Sequence, residues 1–396
     1  MPPARLAILL LCYEYPPIGG GGGVGAKQYA EAWAAQGHQV TVLTGHAVGL
    51  AERERVNGVD VVRVATWGKK NRATSTALSM AAYLVTAALY LLRHRPACRR
   101  FDVINTHFAV PTGPLGWLAG KLLGRPNVLT IIGGDIYDPT KGSSPHRHLL
   151  FRVLNSFLMN AAGRVIAISS DTRARAERYY RVRRPIEVIN YAFLPPAGTA
   201  SVPPLPAERY HLISVGRLVE RKGFAFLIRA LPLLPRDVHL LLVGDGPLDG
   251  ELRALAEEIG VTDQVTFLGY RTTEDIHGWL KRADCYVLSS LHEGLGIVVQ
   301  EAMYAGLPIV ATDEGGQVDL IRPERNGLLV KPGSPEQLAD AIGRLYRDRE
   351  LGRTMGRHNR DDVEAYFAGP NSELYVAVFR GLIADRAAPA TRLASR

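Results

Sequence analysis

Short apolar or β-branched runs alternate with helix-forming stretches along almost the whole chain, and this alternation limits the fold more than any other feature. In the first half the strand-like runs are Ala7–Cys12, Gln39–Thr44, Val59–Ala65, Asp102–Thr106, Asn127–Ile132 and Arg164–Ser169, each bounded by Gly, Pro or polar residues. Helical stretches lie between them, among them Lys27–Gln36 and Thr76–Leu92. Strand–helix alternation of this length predicts a parallel, doubly wound sheet. Residues 195–206 (PPAGTASVPPLP) break the pattern and read as a Pro-rich linker. A second series follows, with strands at His211–Val215, His239–Val243, Gln264–Leu268, Cys285–Leu288, Pro308–Ala311 and Gly327–Val330. Its helices are expected near Gly223–Leu234, Leu248–Ile259, Ile276–Arg282, Ile297–Ala305 and Pro335–Arg347. The expectation is an α/β protein of two Rossmann-like domains facing a cleft: residues 1–194, and 207–370 beyond the linker. A tail helix within 371–390 could join the first domain.

At 396 residues, two cores are expected rather than one. Three cysteines, Cys12, Cys98 and Cys285, form no CxxC and argue against a disulfide framework or a cysteine-built metal site. They favour a reducing cytoplasm. The apolar run Leu6–Cys12 is near the lower limit for a signal peptide, Leu11 is not a cleavable small residue, and Glu14 with Pro16-Pro17 ends it. A buried first strand is the better reading.

Charge is unevenly distributed. Residues 1–200 hold 24 Lys and Arg against 11 Asp and Glu, whereas the rest holds 23 against 27. The first half is therefore expected to meet something anionic, unless the excess is a general Arg bias. Thr76–Leu92 falls short of the ~20 residues that span a bilayer and contains Ser79 and Thr86, so a covering helix is expected. Its basic flanks (Lys69, Lys70, Arg72, Arg93, Arg95) and the seven arginines between Arg164 and Arg184 would suit an anionic membrane surface or a solvated face.

Three segments carry chemistry. In HEGLGIVVQEAMYAGLPIVATDEGG (292–316), Glu293 follows a strand, Gly294 and Gly296 keep the turn bare, and a helix begins near Ile297. Such a turn offers unpaired amides to a phosphate, and carboxylates at Glu293 and Glu301 can accept hydrogen bonds from vicinal hydroxyls. In VGRLVERKGF (215–224), Arg217 and Lys222 follow a strand end and suit a diphosphate. Five consecutive glycines, Gly19–Gly23, lie between the first strand and its helix and are expected to form a backbone-lined loop. Taken singly, each pattern also fits a solvated surface.

Together they resemble the GT4-type retaining glycosyltransferases (glycosyl transferases group 1, GT-B fold). Glu293 and Glu301 occupy the E-x7-E positions, and the likeness continues through Glu301-Ala302-Met303 and Gly306-Leu307-Pro308 to Gly315-Gly316. Leu295 replaces the usual Phe. The resemblance implies that Glu293 contacts the transferred sugar and Glu301 the donor ribose. It further implies that the backbone of Leu295, Gly296, Ile297 and Val298 holds the diphosphate, with Arg217 and Lys222 as its clamp. Gly21, Gly22 and Gly23 would lie against the donor phosphates. His107, at a strand's C-terminal end, would lie beside the sugar. Asp135, in IIGGDIYD, is a candidate to bind or deprotonate the acceptor hydroxyl. Ile132 stands where the family often has His, and Asn190-Tyr191-Ala192-Phe193 replaces an Asn-Gly-Val-Asp type turn, so the acceptor side departs most.

There is no DxD pair and no His/Cys/Asp cluster at metal spacing, so neither a divalent ion nor any other cofactor is expected. The implied activity moves a hexosyl or related sugar from a nucleotide-diphosphate donor to a glycan or lipid-linked acceptor, with retention. The setting would be cytoplasmic, peripheral on the inner membrane face, in polysaccharide or glycolipid synthesis, with no nucleic-acid partner. Alternatives are a nucleotide-sugar 2-epimerase-type isomerase and a non-catalytic nucleotide-sugar-binding protein. An NAD-dependent oxidoreductase is weaker still, because the second strand lacks the terminal acid that NAD binding prefers.

Overall fold

A computed structural model describes residues 5–67, 76–196 and 198–387. The described residues form two compact units. One is drawn from Met1–Tyr137, Ser143–Leu194 and Ala368–Arg396, the other from Asp138–Gly142 and Pro195–Phe367. Lys69, Lys70 and Arg72 lie outside the described residues, as does Ala197 in the linker.

The first unit holds an eight-stranded sheet of β1 (Ala7–Cys12), β2 (Gln39–Gly45), β3 (Arg53–Val56), β4 (Val59–Val64), β5 (Val103–His107), β6 (Asn127–Ile131), β7 (Arg164–Ala167) and β8 (Ile186–Val188). Their order is β3-β4-β2-β1-β5-β6-β7-β8, and every pair is parallel except the β3/β4 hairpin. The helices are α1 (Gly21–Ala35), α2 (Ala77–Arg93), α3 (Arg95–Cys98), α4 (Gly113–Leu123), α5 (Leu149–Ala161) and α6 (Ser170–Tyr179). Apolar residues of the central strands, such as Leu9, Leu11 and Ile104, pack with Tyr83, Leu91 and Leu115 of α2 and α4. Each buried large apolar side chain stabilises the unit by roughly 1.5–3 kcal/mol relative to exposure.

The second unit is a six-stranded, all-parallel sheet, ordered β11-β10-β9-β12-β13-β14. Its strands are β9 (Tyr210–Val215), β10 (Val238–Val243), β11 (Val265–Gly269), β12 (Cys285–Leu288), β13 (Ile309–Thr312) and β14 (Gly327–Val330). Its helices are α7 (Phe224–Ala230), α8 (Asp249–Glu258), α9 (Thr273–Leu280), α10 (Ile297–Ala305), α11 (Pro335–Arg347) and α12 (Arg349–Val363). Both strand series therefore form doubly wound parallel sheets, as the alternation requires. β9 lies at the sheet's centre, flanked by β10 and β12, which is where the strand order reverses. Ligands of open α/β sheets gather at such a switch point.

The last helix, α13 (Ala368–Ala387), belongs to the first unit and packs on α1. Tyr375 lies 4.4 Å from Tyr29 between ring centres, and Phe379 lies 5.2 Å from Trp33. Gln36 Nε2 donates to Ser372 Oγ at 2.7 Å, closing the polar end of the contact.

Candidate functional site

In the second unit the backbone brings two distant segments together. The 3-10 turn Glu220–Lys222, after β9, accepts a hydrogen bond from Leu291 N onto Arg221 O at 2.8 Å, while Ser289 Oγ donates to Lys222 O at 3.0 Å. Gly223 is required at the turn's end. Its φ is +63°, and a Cβ there would lie 2.1 Å from Ser289 O.

This seam sets Glu293 among donors. Lys222 Nζ donates to Glu293 Oε1 at 2.5 Å, Ser290 Oγ donates to the same oxygen at 2.8 Å, and Arg221 Nη1 lies 3.4 Å from Oε2. Burial alone would raise the Glu293 pKa, but Lys222, Arg221 and Ser290 overcome it and hold the carboxyl at about 2. Glu293 is therefore a fixed negative charge at neutral pH. Lys222 spends one of three donor hydrogens on it, leaving two for a ligand. Arg221 also donates to His292 O at 2.7 Å, and its Nε lies 3.7 Å from Asp138 Oδ2.

Beyond Glu293 the chain turns through Gly296, at φ +90°, into α10. That helix has no side-chain cap, and the amides of Ile297 and Val298 make no hydrogen bond among the described residues. Leu295 is buried, so only its backbone can serve a ligand. Glu301, one turn into α10, is half-buried, and burial lifts its carboxyl to about 7. The hydroxyl of Tyr286 on β12 is buried without a hydrogen-bond partner and feels the charge of both Glu293 and Glu301. Burial and those two charges hold its pKa far above the ordinary phenol range. The two glutamates thus face a common region beside an uncapped helix start. Arg217 is exposed, two residues beyond β9.

The structure joins Glu293, Lys222, Leu295, Gly296, Ile297, Val298 and Glu301 within one unit. It adds Arg221, Ser290 and Tyr286, which sequence reasoning passed over. The adjacent Arg221-Lys222 pair was the available signal, but ERK at a turn reads as ordinary solvated charge.

Two expected site residues of the first unit are buried. His107 ends β5 as expected but has no exposed surface. Its ring is stacked on Tyr191 (centres 6.3 Å apart, 9° between planes) and tilted against Tyr29, and burial lowers its pKa to about 3. Asn105 Nδ2 donates to Thr130 Oγ1 at 3.2 Å, so Asn105 Oδ1 accepts from His107 Nδ1–H at 2.9 Å. The ring is thereby neutral and enclosed, and its Nε2 is left without a hydrogen-bond partner among the described residues. Asp135 is likewise committed. Its Oδ2 accepts from Ala109 N at 2.6 Å and its Oδ1 from Ile132 N at 3.0 Å, tying together the loops after β5 and β6. Burial raises its pKa to about 6 against the opposing pull of those amides. It thus staples the two loops together. Asp135→Ala should lower stability by about 2–4 kcal/mol, because two buried amides lose their acceptor; chemical denaturation would show it.

The glycine run is corrected. Gly19 and Gly20 form the loop, while Gly21, Gly22 and Gly23 make the first turn of α1. A Cβ at Gly22 would lie 2.9 Å from Phe108 Cζ, and one at Gly23 would lie 2.6 Å from Glu14 O. Close packing therefore accounts for Gly22 and Gly23 before any ligand does.

A doubly wound unit whose lysine and arginine surround a carboxylate next to bare helix amides has the donor groups that a phosphate ester requires. The family profile "Glycosyl transferases group 1" matches residues 200–362, and "Glycosyl transferase 4-like domain" matches residues 20–192. The chain belongs to the GT4-type glycosyltransferases, of GT-B fold. It is 28% identical over 382 residues to an uncharacterized glycosyltransferase of Methanocaldococcus jannaschii, covering 92% of this chain and 95% of that one. It is 34% identical over 224 residues to the GDP-mannose-dependent alpha-(1-6)-phosphatidylinositol monomannoside mannosyltransferase of Mycobacterium tuberculosis, covering 51% of this chain and 57% of that one. Among solved structures, Anabaena HepE in complex with UDP and glucose shares the fold. Its TM-score is 0.76 at 21% identity, over 95% of this chain and 100% of that one.

Proposed function

We propose that this glycosyltransferase moves a hexosyl or related sugar from a nucleotide-diphosphate donor to an acceptor hydroxyl, with retention of anomeric configuration. The observation that carries the reading is the seam of Lys222, Arg221 and Ser290 around an ionised Glu293, beside the free amides of Ile297 and Val298. Lys222 keeps donor hydrogens for the diphosphate, Arg217 adds charge from the exposed loop, and the bare α10 terminus supplies amides. These groups supply the cationic charge that a metal would otherwise bring. Glu293 is then a fixed negative charge near the positive charge that develops at the anomeric carbon. Its donors leave it poorly suited to attack that carbon. A same-face route fits. The acceptor oxygen bonds to the anomeric carbon as the bond to the diphosphate breaks, and the acceptor proton passes to a phosphate oxygen. The amides of Gly21 and Gly22 are a further candidate phosphate contact, whereas that of Gly23 already donates to Gly20 O at 3.0 Å.

For the acceptor, the relatives favour a lipid-linked or surface glycan. One is the mycobacterial mannosyltransferase above. Another is a lipopolysaccharide core biosynthesis glycosyltransferase of Rhizobium meliloti, 34% identical over 56% of this chain and 65% of that one. Incubation with candidate UDP-, GDP- and ADP-sugars and a glycan acceptor tests the reading. Release of nucleoside diphosphate should require acceptor, and isomerisation of donor alone would contradict it.

Glu301 gives a pH signature. A carboxylate grips ribose hydroxyls better than a carboxyl does, and in the free protein this group titrates at about 7. Donor affinity should rise about ten-fold from pH 6 to pH 8 in the wild type, and Glu301→Gln should flatten the rise. Because the folded pKa lies above the ordinary 4.5, the stability cost of ionising Glu301 develops as pH climbs from 4.5 to 7 and is relieved on acidification. Affinity and stability should therefore respond to pH in opposite directions.

A further inference from the structure

In the first unit, α2, α4 and α5 form one layer: α4 packs against both α2 and α5. The crossovers β4-to-β5, β5-to-β6 and β6-to-β7 are right-handed by the usual rule and lie on the same sheet face. The outside of this layer is unusually apolar. Leu78, Val85, Leu89 and Leu92 are exposed on α2, Trp117 on α4, and Leu149, Leu150, Val153 and Phe157 on α5. These are nine of the fifteen large apolar side chains exposed among the described residues, so they form a surface rather than a scatter. On α5, Leu149, Leu150, Val153 and Phe157 follow helical spacing, with Leu149 and Leu150 74% and 76% exposed. Trp117 meets Phe157 edge-on at 5.7 Å and links two of the helices.

The charge on the same surface has one sign. Helices α2, α3, α4 and α5 contain no Asp or Glu, whereas Arg93, Arg95, Lys121, Arg147 and Arg152 are exposed on them or at their ends. The arginines between Arg164 and Arg184 are less suited to the task. Arg164 pairs with Asp385 at 2.7 Å and Arg175 with Asp171 at 3.1 Å. Apolar stripes fringed by exposed cations, on helices too short and too interrupted to span, are the chemistry of a surface that lies in the headgroup region of an anionic bilayer. Among the described residues no helix is long and apolar enough to cross a membrane.

We infer that the outer face of the α2–α4–α5 layer docks on an anionic phospholipid bilayer. Leu149, Leu150, Val153 and Phe157 insert among the acyl chains, and Lys121, Arg93 and Arg152 meet lipid phosphates. The inference rests on the first unit alone and stands apart from the donor chemistry. It would, however, bring a lipid-linked acceptor to the enzyme.

The test is co-sedimentation of the full chain with vesicles of phosphatidylcholine, with and without phosphatidylglycerol, at low and high salt. The wild type should bind the mixed vesicles, ignore pure phosphatidylcholine, and be released by salt. The surface variant Lys121→Glu/Arg152→Glu should lose at least about ten-fold in partition. The triple Leu149→Ser/Leu150→Ser/Val153→Ser variant should lose binding even at low salt. Both variants should retain donor-dependent transfer to a soluble acceptor, which separates failure here from failure of the donor reading. No binding of the wild type at low salt overturns the inference. So does unchanged binding in both variants, or a triple variant that converts a dimer to a monomer while still binding vesicles, since a second copy would then cover this face.

Discussion

Glu293→Gln should lower the turnover of sugar transfer by at least about 10²–10³-fold, the loss typical when one preorganised charge or donor is removed from a transition state. The substitution keeps the side chain's shape and removes its charge. In the wild type Oε1 accepts from both Lys222 Nζ and Ser290 Oγ, and Arg221 reaches toward Oε2. A glutamine has one acceptor oxygen, and its amide would turn hydrogens toward cations that have none to accept. The fold should lose about 1–3 kcal/mol as a result, within what a two-core chain tolerates. Unfolding should remain cooperative at a modestly lower temperature. Donor affinity should change little, because the diphosphate is assigned to Lys222 and the α10 amides. A variant keeping more than a tenth of wild-type turnover would remove Glu293 from the reaction.

Lys222→Met should act on binding and chemistry together. The lost ammonium is one of the charges assigned to the diphosphate, and hydrogen bonds to charged groups contribute about 1.5–3 kcal/mol. Donor affinity should therefore fall roughly 10–100-fold. Glu293 also loses the nearest charge that keeps it ionised. Burial, which pushes its pKa up, is then opposed by Arg221 and Ser290 alone. The acid limb of the kcat/KM profile should move to higher pH. In the wild type the folded carboxyl sits at about 2, below the ordinary 4.5. Its contribution to stability is accordingly complete above pH 4.5 and is lost as pH falls toward 2. In the variant that loss should begin at higher pH. A profile superimposable on the wild type would contradict the coupling of Lys222 to Glu293.

Much of the fold could be read before the structure. Ala7–Cys12, Cys285–Leu288, Gly327–Val330, Ile297–Ala305 and Pro335–Arg347 form with the bounds that their apolar patterns and flanking Gly, Pro or Ser residues set. β3 was missed because Arg53–Val56 is polar and wholly exposed, as an edge strand can be. The signal lay in the turn after it, where Asn57 and Gly58 both take positive φ as a two-residue hairpin turn requires. The start of α1 was placed too late because glycine is a poor helix former. Packing overrides that weakness, since Gly25 leaves room for the ring of Tyr191 and Gly22 for Phe108 and Ile132.

The site divides along the same line. Glu293, Lys222 and Glu301 were visible because motif spacing placed them at strand and helix ends. Arg221 was not, because only tertiary hydrogen bonds, such as those from Leu291 N to Arg221 O and from Ser289 Oγ to Lys222 O, bring its turn along the Glu293 loop. His107 and Asp135 stand at the loop ends their sequence positions indicate, but both are buried and bonded to neighbours. Sequence position gives the end of a strand but not the rings that close over it, nor the amides that consume a carboxylate.

The central claim is that the second unit binds a nucleotide-diphosphate sugar through Lys222 and the start of α10. Titration of wild type and Lys222→Met with UDP-, GDP- and ADP-sugars, followed by thermal shift, tests it most directly. One donor class should stabilise the wild type by about 2.7 kcal/mol at a hundred times its Kd, and the corresponding monophosphate should do so far less. Lys222→Met should show half of that shift or less, about 0.4–1.4 kcal/mol, at the same concentration. Absence of any donor-dependent shift in the wild type, or an equal shift in both proteins, would contradict the assignment.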